Sequence, residues 1–119
     1  MADERCTLME LQEQVARFNR EREWAQFHNP RNLAMAVSVE ASELLELFLW
    51  SRDDGPQPPL HTRLPQVEHE MADVLICLFS IADRMNIDLA AAVRAKLDLN
   101  AAKYPVDKAR GRMEKSDEL

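Results

Sequence analysis

The sequence predicts an all-α fold, an antiparallel bundle of four main helices per subunit, and three observations lead to it. The composition favours helices, because only two of 119 residues are glycine. Hydrophobic residues recur at three- and four-residue spacing, which is typical of amphipathic helices. Capping residues, prolines and short breaks divide the chain into four such stretches.

The first helix is expected within residues 7–23. Thr7 followed three residues later by Glu10 is typical of a capping box, which would start the helix there. The apolar side chains of this stretch recur at helical spacing, at Leu8, Leu11, Val15 and Phe18.

The second helix is expected from Pro30 to Trp50, with Asn29 as its N-cap. Its apolar stripe consists of Leu33, Val37, Leu44 and Leu47. Glu40 falls in the middle of this stripe and Glu43 lies at its edge, one helical turn on. A lone buried carboxylate is costly unless it is paired or bound to a metal, so something must neutralise Glu40.

Residues 51–63 hold one of the two glycines and three of the six prolines, so they predict a loop between helices two and three. Helix three is expected over residues 65–85, with a short break at Asn86. Asp88 would cap helix four, which is expected to reach Lys103 and to end before Pro105. We therefore expect one domain over residues 1–105 and a charged, flexible tail over residues 106–119.

Helix three repeats the anomaly of helix two. Its predicted core stripe consists of Val67, Met71, Val74, Leu78, Ile81 and Met85. Glu70 and Asp73 lie beside that stripe at the same three-residue spacing as Glu40 and Glu43. On the far side, Leu75, Ile76 and Phe79 are also apolar, which indicates that a second subunit covers this face.

Two acidic pairs beside apolar stripes predict a metal site. If helices two and three pack antiparallel, four carboxylates converge, and they cannot all stay ionised without a strong counter-charge. A hard divalent cation with oxygen ligands is the simplest counter-charge, with Mg²⁺ as the best fit and Mn²⁺ as an alternative. The competing interpretation is that Glu-x-x-Glu is an ordinary solvated helix face.

Two further groups could contact a ligand. Lys96, Asn100, Lys103 and Tyr104 share one face of helix four, either as a phosphate-binding surface or as an ordinary basic stripe. Trp24, Phe27, His28 and Trp50 could line a nucleobase pocket, although each tryptophan could equally fill a hinge or an interface. Cys77 lies in an apolar run and is interpreted as a small core or pocket residue.

Charge and hydropathy limit the partners. The formal net charge of −6 argues against nucleic-acid and anionic-membrane surfaces. No apolar run approaches the length of about 18 residues that would span a membrane, so we expect a cytoplasmic protein.

These motifs resemble the MazG-like superfamily of all-α nucleoside triphosphate pyrophosphohydrolases, and in detail its dCTP pyrophosphatase-like branch. The resemblance covers residues 8–105 in the family's order. It rests on residues 24–28 with 30–32, the helix from Glu40 to Trp50, residues 70–76, and residues 96–100 ending in Tyr104-Pro105.

The resemblance implies Mg²⁺-dependent hydrolysis of a nucleoside triphosphate, such as dCTP or a modified dCTP, to the monophosphate and pyrophosphate in nucleotide-pool house-cleaning. It implies Glu40, Glu43, Glu70 and Asp73 as metal ligands, with Glu43 our choice of general base. The segment Trp24, Ala25, Gln26, Phe27 and His28, together with Trp50, would hold the base and sugar, and Lys96 and Asn100 the phosphates. It also implies a dimer of dimers, with sites completed across subunits.

Two positions depart from the animal members of that branch, which carry histidine at the position of Val15 and tyrosine at that of Cys77. The base preference is therefore left open. A non-catalytic helical module that binds a nucleotide or a protein is the rival hypothesis, but it gives no reason for four acidic residues in or beside the apolar stripes.

Overall fold

The computed structural model describes residues 5–49 and 63–119. The regular structure within these ranges is entirely helical, without strands, which confirms the all-α prediction. The α-helices are α1 (Leu8–Glu21), α2 (Pro30–Glu46), α3 (Leu64–Met85), α4 (Leu89–Lys103) and the short α5 (Val106–Ala109). Helices α1 to α3 belong to one compact unit, Met1–Ile87, and helices α4 and α5 to a second, Asp88–Leu119.

Three of the four predicted helix starts, those of α1, α2 and α4, are confirmed by capping hydrogen bonds. The side chains of Thr7, Asn29 and Asp88 each accept a hydrogen bond from the backbone N–H three residues further on, at 3.1, 2.8 and 3.0 Å. Each bond satisfies one of the N–H groups that a helix leaves unpaired in its first turn. The break at Asn86 is also confirmed, because this residue adopts a left-handed conformation with φ of 57°.

Helix α2 ends at Glu46, earlier than predicted. The next three residues, 47–49, donate their backbone N–H groups to carbonyls three residues back, so the chain tightens into turns. The apolar stripe continues through these residues, which is why periodicity alone predicted a longer helix. Trp50 and most of the predicted loop, residues 51–62, lie outside the described residues.

Helix α1 packs antiparallel to α3. Near the start of α1, Gln12 Nε2 donates a hydrogen bond of 3.0 Å to the carbonyl of Ile87, just beyond the end of α3. Further along α1, Asn19 Nδ2 donates one of 3.0 Å to Ser80 Oγ, earlier on α3. Residue numbers therefore rise along one helix as they fall along the other.

Helix α2 packs antiparallel to α3 by the same criterion. The guanidinium of Arg63, just before α3, donates a hydrogen bond to the carbonyl of Leu47, just after α2. Further from that end, Glu40 of α2 lies beside Glu70 of α3. This confirms the relative direction that the metal hypothesis requires.

The core of the first unit lies between α3 and the two helices packed on it. Phe79, Ser80 and Ala82 of α3 are 4%, 3% and 1% exposed, and Leu33 of α2 is 5% exposed. Burying a ring such as that of Phe79 contributes about 1.5–3 kcal/mol.

The predicted core stripe of α3 was partly wrong, because Met71, Leu78 and Met85 are 52%, 37% and 54% exposed. The face between α1 and α2 is the buried one, and Phe79, assigned from the sequence to the second apolar face, belongs to it. A single helix cannot show from its own sequence which of two apolar faces its neighbours cover.

An apolar groove of about 420 Å³ runs along α1 and α3. Its side chains include Phe18, Leu75 and Ile76, which are 44%, 45% and 43% exposed. The groove contains most of the second apolar face that the sequence predicted for α3.

The second unit contains α4 and a short C-terminal segment. That segment holds α5, a glycine at φ of 74° (Gly111), and a surface ion pair of 3.2 Å between Arg112 and Glu114. The division into one domain over residues 1–105 and a flexible tail over residues 106–119 stays a prediction. None of the helices in the described ranges is long and apolar enough to cross a membrane.

Candidate metal site and substrate cavity

Three of the four predicted metal ligands converge where α2 and α3 pack. One carboxylate oxygen from each of Glu40, Glu43 and Glu70 lies within 4.8 Å of the others. The i, i+3 spacing puts Glu40 and Glu43 on one face of α2. The antiparallel packing then brings Glu70 of α3 against that face.

The carboxyl of Glu40 lacks the partners that would compensate its burial. Its Oε2 atom is enclosed and accepts no hydrogen bond from the described residues. Desolvation, together with the adjacent carboxyl of Glu43, raises the pKa of Glu40 above its ordinary value of 4.5. Asp73 and Glu70 add further repulsion, so both α3 acids lie close enough to act on Glu40.

Glu70 is in the same situation on the other helix. Its Oε2 atom is also enclosed without a hydrogen-bond donor among the described residues. Desolvation and the negative charge of Glu43 raise the pKa of Glu70, while the neighbouring His69 acts in the opposite direction. Asp73 raises it too, which places this fourth acid at the edge of the cluster.

The cluster fits a hard divalent cation. Its donors are all carboxylate oxygens, the ligand type that Mg²⁺, Mn²⁺ and Ca²⁺ prefer. The two enclosed oxygens, one on each helix, have no protein donor and would gain a partner from a cation. Neutralising the cluster would also remove the mutual repulsion that now raises the two pKa values.

A cavity of about 290 Å³ opens beside the acidic cluster within the first unit. Its wall combines acids, aromatic rings, amides and small side chains: Phe18, Asn19, Trp24, His28, Asn32, Leu33, Ala36, Glu40, Asp73, Ile76, Cys77 and Ser80. Five of the predicted site residues are among them, namely Trp24, His28, Glu40, Asp73 and Cys77.

The aromatic wall is built by a turn after α1. Glu23 adopts a left-handed conformation at φ of 54°, and Trp24–Phe27 then form a 3₁₀ turn. This places the Trp24 ring edge-on to two others, with centroids 5.7 Å from Phe18 and 6.2 Å from His28.

The remaining predicted residues for substrate binding fall into three groups. Ala25, Gln26 and Phe27 do not line the cavity, and the Phe27 ring is 61% exposed. Lys96, Asn100 and Tyr104 belong to the second unit, on α4 or directly after it, so their contact with phosphates stays a prediction. Trp50 lies outside the described residues.

Cys77 lines the cavity next to the acids. Burial, Glu40 and Asp73 raise the pKa of its thiol above 9.0. The thiol is therefore protonated at neutral pH and unsuited to act as a nucleophile. This agrees with the interpretation of Cys77 as a small pocket residue.

Sequence reasoning missed the polar residues at the other end of the cavity. Asn19 and Ser80 are 6% and 3% exposed and are hydrogen-bonded to each other. The available signal was that Asn19 follows Val15 by one helical turn, so a polar residue stands on an apolar face.

Comparisons with known proteins agree with this architecture. The model of the MazG-like family matches residues 35–119. Human dCTP pyrophosphatase 1 is 42% identical over 115 residues, covering 95% of this chain and 68% of the relative. The rat protein of the same name is 43% identical over 107 residues, covering 88% of this chain and 63% of the relative. The chain thus spans about two thirds of the length of the curated relatives it matches.

A solved structure shows the same fold. The crystal structure of a pyrophosphatase from Archaeoglobus fulgidus superposes with a TM-score of 0.76 at 37% identity. The match covers 88% of this chain and 98% of that one. Together with the family model, these similarities establish that the chain belongs to the MazG-like family.

Proposed function

We propose that this protein hydrolyses nucleoside triphosphates, of the dCTP or modified dCTP class, to the monophosphate and pyrophosphate with the help of Mg²⁺. The observation that carries the proposal is one cavity with carboxylates at one end and aromatic rings at the other. A nucleotide has the matching polarity, because its triphosphate needs cations and its base needs a flat apolar surface. The dCTP pyrophosphatase relatives support the same reaction and substrate class.

Glu40, Glu43, Glu70 and Asp73 would hold the cation. When bound there, the ion would balance the charge of the triphosphate and polarise its phosphoryl oxygens. Without it, a polyanion could not approach a cluster of carboxylates, because like charges would meet in a partly desolvated site.

Glu43 is the carboxylate best placed to take the proton of the attacking water. It belongs to the cluster but is exposed, whereas Glu40 and Glu70 are half-buried. A general base must come within hydrogen-bond distance of the attacking water, and the exposure of Glu43 supports this role. As the water oxygen bonds to phosphorus, the bond to the leaving phosphate oxygen breaks and pyrophosphate departs from the monophosphate.

Trp24 and His28 would hold the base. Their rings belong to the cavity wall, and stacking against such faces contributes about 1–3 kcal/mol per base. Lys96 and Asn100 are spaced one helical turn apart on α4, which suits a shared contact with a phosphate group.

Self-association is part of the proposal. The groove along α1 and α3 exposes large apolar side chains, including Phe18, Leu75 and Ile76, and a second copy of the chain would cover them. We expect a dimer or a tetramer acting in the cytoplasm on free nucleotides, without nucleic-acid partners. Leu75→Glu should shift the protein to a smaller species in size-exclusion chromatography with light scattering.

The test is a panel of NTPs and dNTPs incubated with the protein, with and without Mg²⁺, followed by measurement of pyrophosphate release. We expect release that requires Mg²⁺ and is fastest with a cytosine-containing substrate. Nucleotide binding without turnover would instead support the non-catalytic module, and absence of both would contradict the proposal altogether.

A further inference from the structure

We propose that Asn19, oriented by Ser80, reads the exocyclic amine of the base in the substrate cavity. This inference rests on the proposed function and deepens it, because it assigns base selection to a specific side chain. In the proposed function the carboxylates hold the cation that meets the phosphates, and all nucleoside triphosphates share these phosphates, so a base preference must come from the other end of the cavity.

Asn19 and Ser80 lie at the end of the cavity away from the carboxylates, where a base would bind. Asp73 and Ser80 both line the cavity from α3 and are seven residues apart. At about 1.5 Å per residue, their Cα atoms are about 10 Å apart along the helix axis. Asn19 lies beside Ser80, adjacent in sequence to Phe18, whose ring contacts that of Trp24. The amide is therefore near the aromatic wall, well separated from the acids.

The hydrogen-bond network determines which way the amide faces. Ser80 Oγ donates its only hydrogen to the carbonyl of Ile76, at 2.9 Å. It can therefore only accept from Asn19, which must present its NH₂ group to Ser80, at 3.0 Å. The orientation of the amide is therefore fixed, with its NH₂ group towards Ser80.

This arrangement leaves one acceptor and one donor unused. Asn19 Oδ1 accepts no hydrogen bond from the described residues, and the second Nδ2 hydrogen has no acceptor among them. The residue is only 6% exposed, and it lines the cavity. If the hydrogen bond served only to join α1 to α3, Asn19 would not need to line a cavity. Nor would it need an unused acceptor and an unused donor there.

The unused atoms match the edge of an amine-bearing base. The C4 amine of cytosine would donate to Oδ1, and its N3 would accept the second Nδ2 hydrogen, as asparagine does when it binds adenine through two hydrogen bonds. Uracil and thymine carry a carbonyl at C4 and a proton on N3. Their C4 carbonyl would therefore face Asn19 Oδ1, two acceptors together, and their N3 proton would face the Nδ2 hydrogen, two donors together. The amide cannot rotate to suit them, because Ser80 has no hydrogen to offer Oδ1.

The experiment compares dCTP with dUTP, which differ only at C4 and in the N3 proton. Wild-type protein should have the higher kcat/KM for dCTP. Asn19→Ala should lower this preference about tenfold, the effect of losing about one hydrogen bond. The KM for dCTP should rise, whereas the KM for dUTP should stay the same or fall, because the unfavourable contact with uracil is removed. Ser80→Ala should lower the preference less, because it leaves Asn19 in place but free to rotate.

Gln12→Ala is the matched control. Gln12 is another polar residue of α1 that donates a 3.0 Å hydrogen bond towards the end of α3, but it does not line the cavity. This variant should lose stability without changing the preference. The inference would be overturned if wild type did not distinguish the two substrates, if Asn19→Ala affected both equally, or if Gln12→Ala shifted the preference as much.

Binding of monophosphates separates this inference from the proposed reaction. Titration calorimetry with dCMP and dUMP, both in the presence of Mg²⁺, needs no turnover. Tighter binding of dCMP, lost in Asn19→Ala, would support base reading even if no triphosphate were hydrolysed. Equal binding of dCMP and dUMP by wild type would refute base reading even if hydrolysis were observed.

Discussion

The two ends of the cavity differ in how well their polar groups are satisfied. At the acidic end, Glu40 of the cavity wall and the adjacent Glu70 each have an enclosed oxygen without a donor among the described residues, and burial and mutual repulsion raise the pKa of both. At the amide end, the buried pair Asn19 and Ser80 is joined by a hydrogen bond and linked to the α3 backbone.

The difference indicates what each end contributes to function. The acidic end is unfavourable by itself and would become favourable with a cation, so we infer that stability is given up there for the proposed metal binding. The amide end is already organised, so it can present a fixed hydrogen-bonding pattern to a base without rearranging. The following predictions concern first the acidic cluster, then the aromatic wall of the cavity, and last the predicted phosphate contact on α4.

The largest effect is expected from Glu40→Gln. Replacing a proposed metal ligand should lower Mg²⁺-dependent pyrophosphate release by at least about 100-fold, because even residues that only support ligands cost about 10–100-fold. The same change removes one buried charge from the cluster, so the metal-free variant should melt at or above the wild-type temperature. Turnover would be measured by a pyrophosphate assay and melting by circular dichroism.

Glu46→Gln is the control, since Glu46 is an exposed acid on the same helix. It should leave both turnover and melting close to wild type. Full activity in Glu40→Gln, or a loss of activity in Glu46→Gln equal to that in Glu40→Gln, would contradict the assignment of the cluster.

The pH dependence of stability should be the next largest effect. A carboxyl with a higher pKa in the folded than in the unfolded state binds more protons when folded, so its contribution to stability falls as the pH rises. Glu40 and Glu70 both have pKa values raised from 4.5. The metal-free protein should therefore lose thermal stability as the pH rises from 4.5, the ordinary pKa of glutamate, towards neutral pH.

Mg²⁺ should reverse that loss, because a cation binds the ionised form of the cluster and only in the folded state. Melting temperatures would be measured across this pH range in chelator and in Mg²⁺. Glu40→Gln should flatten the metal-free profile. Stability that rises with pH in chelator, or that ignores Mg²⁺, would be inconsistent with the proposed cluster.

A smaller effect is expected at the aromatic wall. Trp24→Ala should raise the KM about tenfold, in line with about 1–3 kcal/mol for stacking of one base. Phe27→Ala should change the KM much less, because the ring of Phe27 is exposed and does not line the cavity. Steady-state kinetics with dCTP would distinguish the two aromatics, and a reversed order of effects would show that the wrong ring has been assigned to the base.

The smallest effect is expected on α4. Lys96→Ala should raise the KM for the triphosphate about threefold to tenfold if this lysine contacts a phosphate, since a charged hydrogen bond contributes about 1.5–3 kcal/mol and exposure reduces it. Arg94→Ala is the control, because a residue two positions away lies on a different face of the helix. Equal effects of the two substitutions would indicate a general influence of positive charge.

The acidic end could be predicted from the sequence, whereas the amide end could not. Pairing at i, i+3 is local, so the positions of Glu40 and Glu43 within an apolar stripe were visible without a structure. The helix starts were predictable for the same reason, since a cap bonds to the backbone three residues further on. Asn19 and Ser80 are 61 residues apart, and their hydrogen bond depends on how α1 is aligned against α3.

The same limit explains the errors in the predicted core. Leu11 and Phe18 continue the apolar pattern of α1 yet are 39% and 44% exposed, because they line the groove beside α3. The periodicity shows that a face is apolar but not whether the same chain or a second copy covers it.

The central claim is that the acidic cluster binds a divalent cation, and Mn²⁺ binding followed by electron paramagnetic resonance tests it most directly. Titration of the wild-type protein should reveal a saturable Mn²⁺ site that Mg²⁺ displaces. That site should be lost in Glu40→Gln and retained in Glu46→Gln. Identical Mn²⁺ binding by wild type and Glu40→Gln, or no saturable binding at all, would contradict the claim.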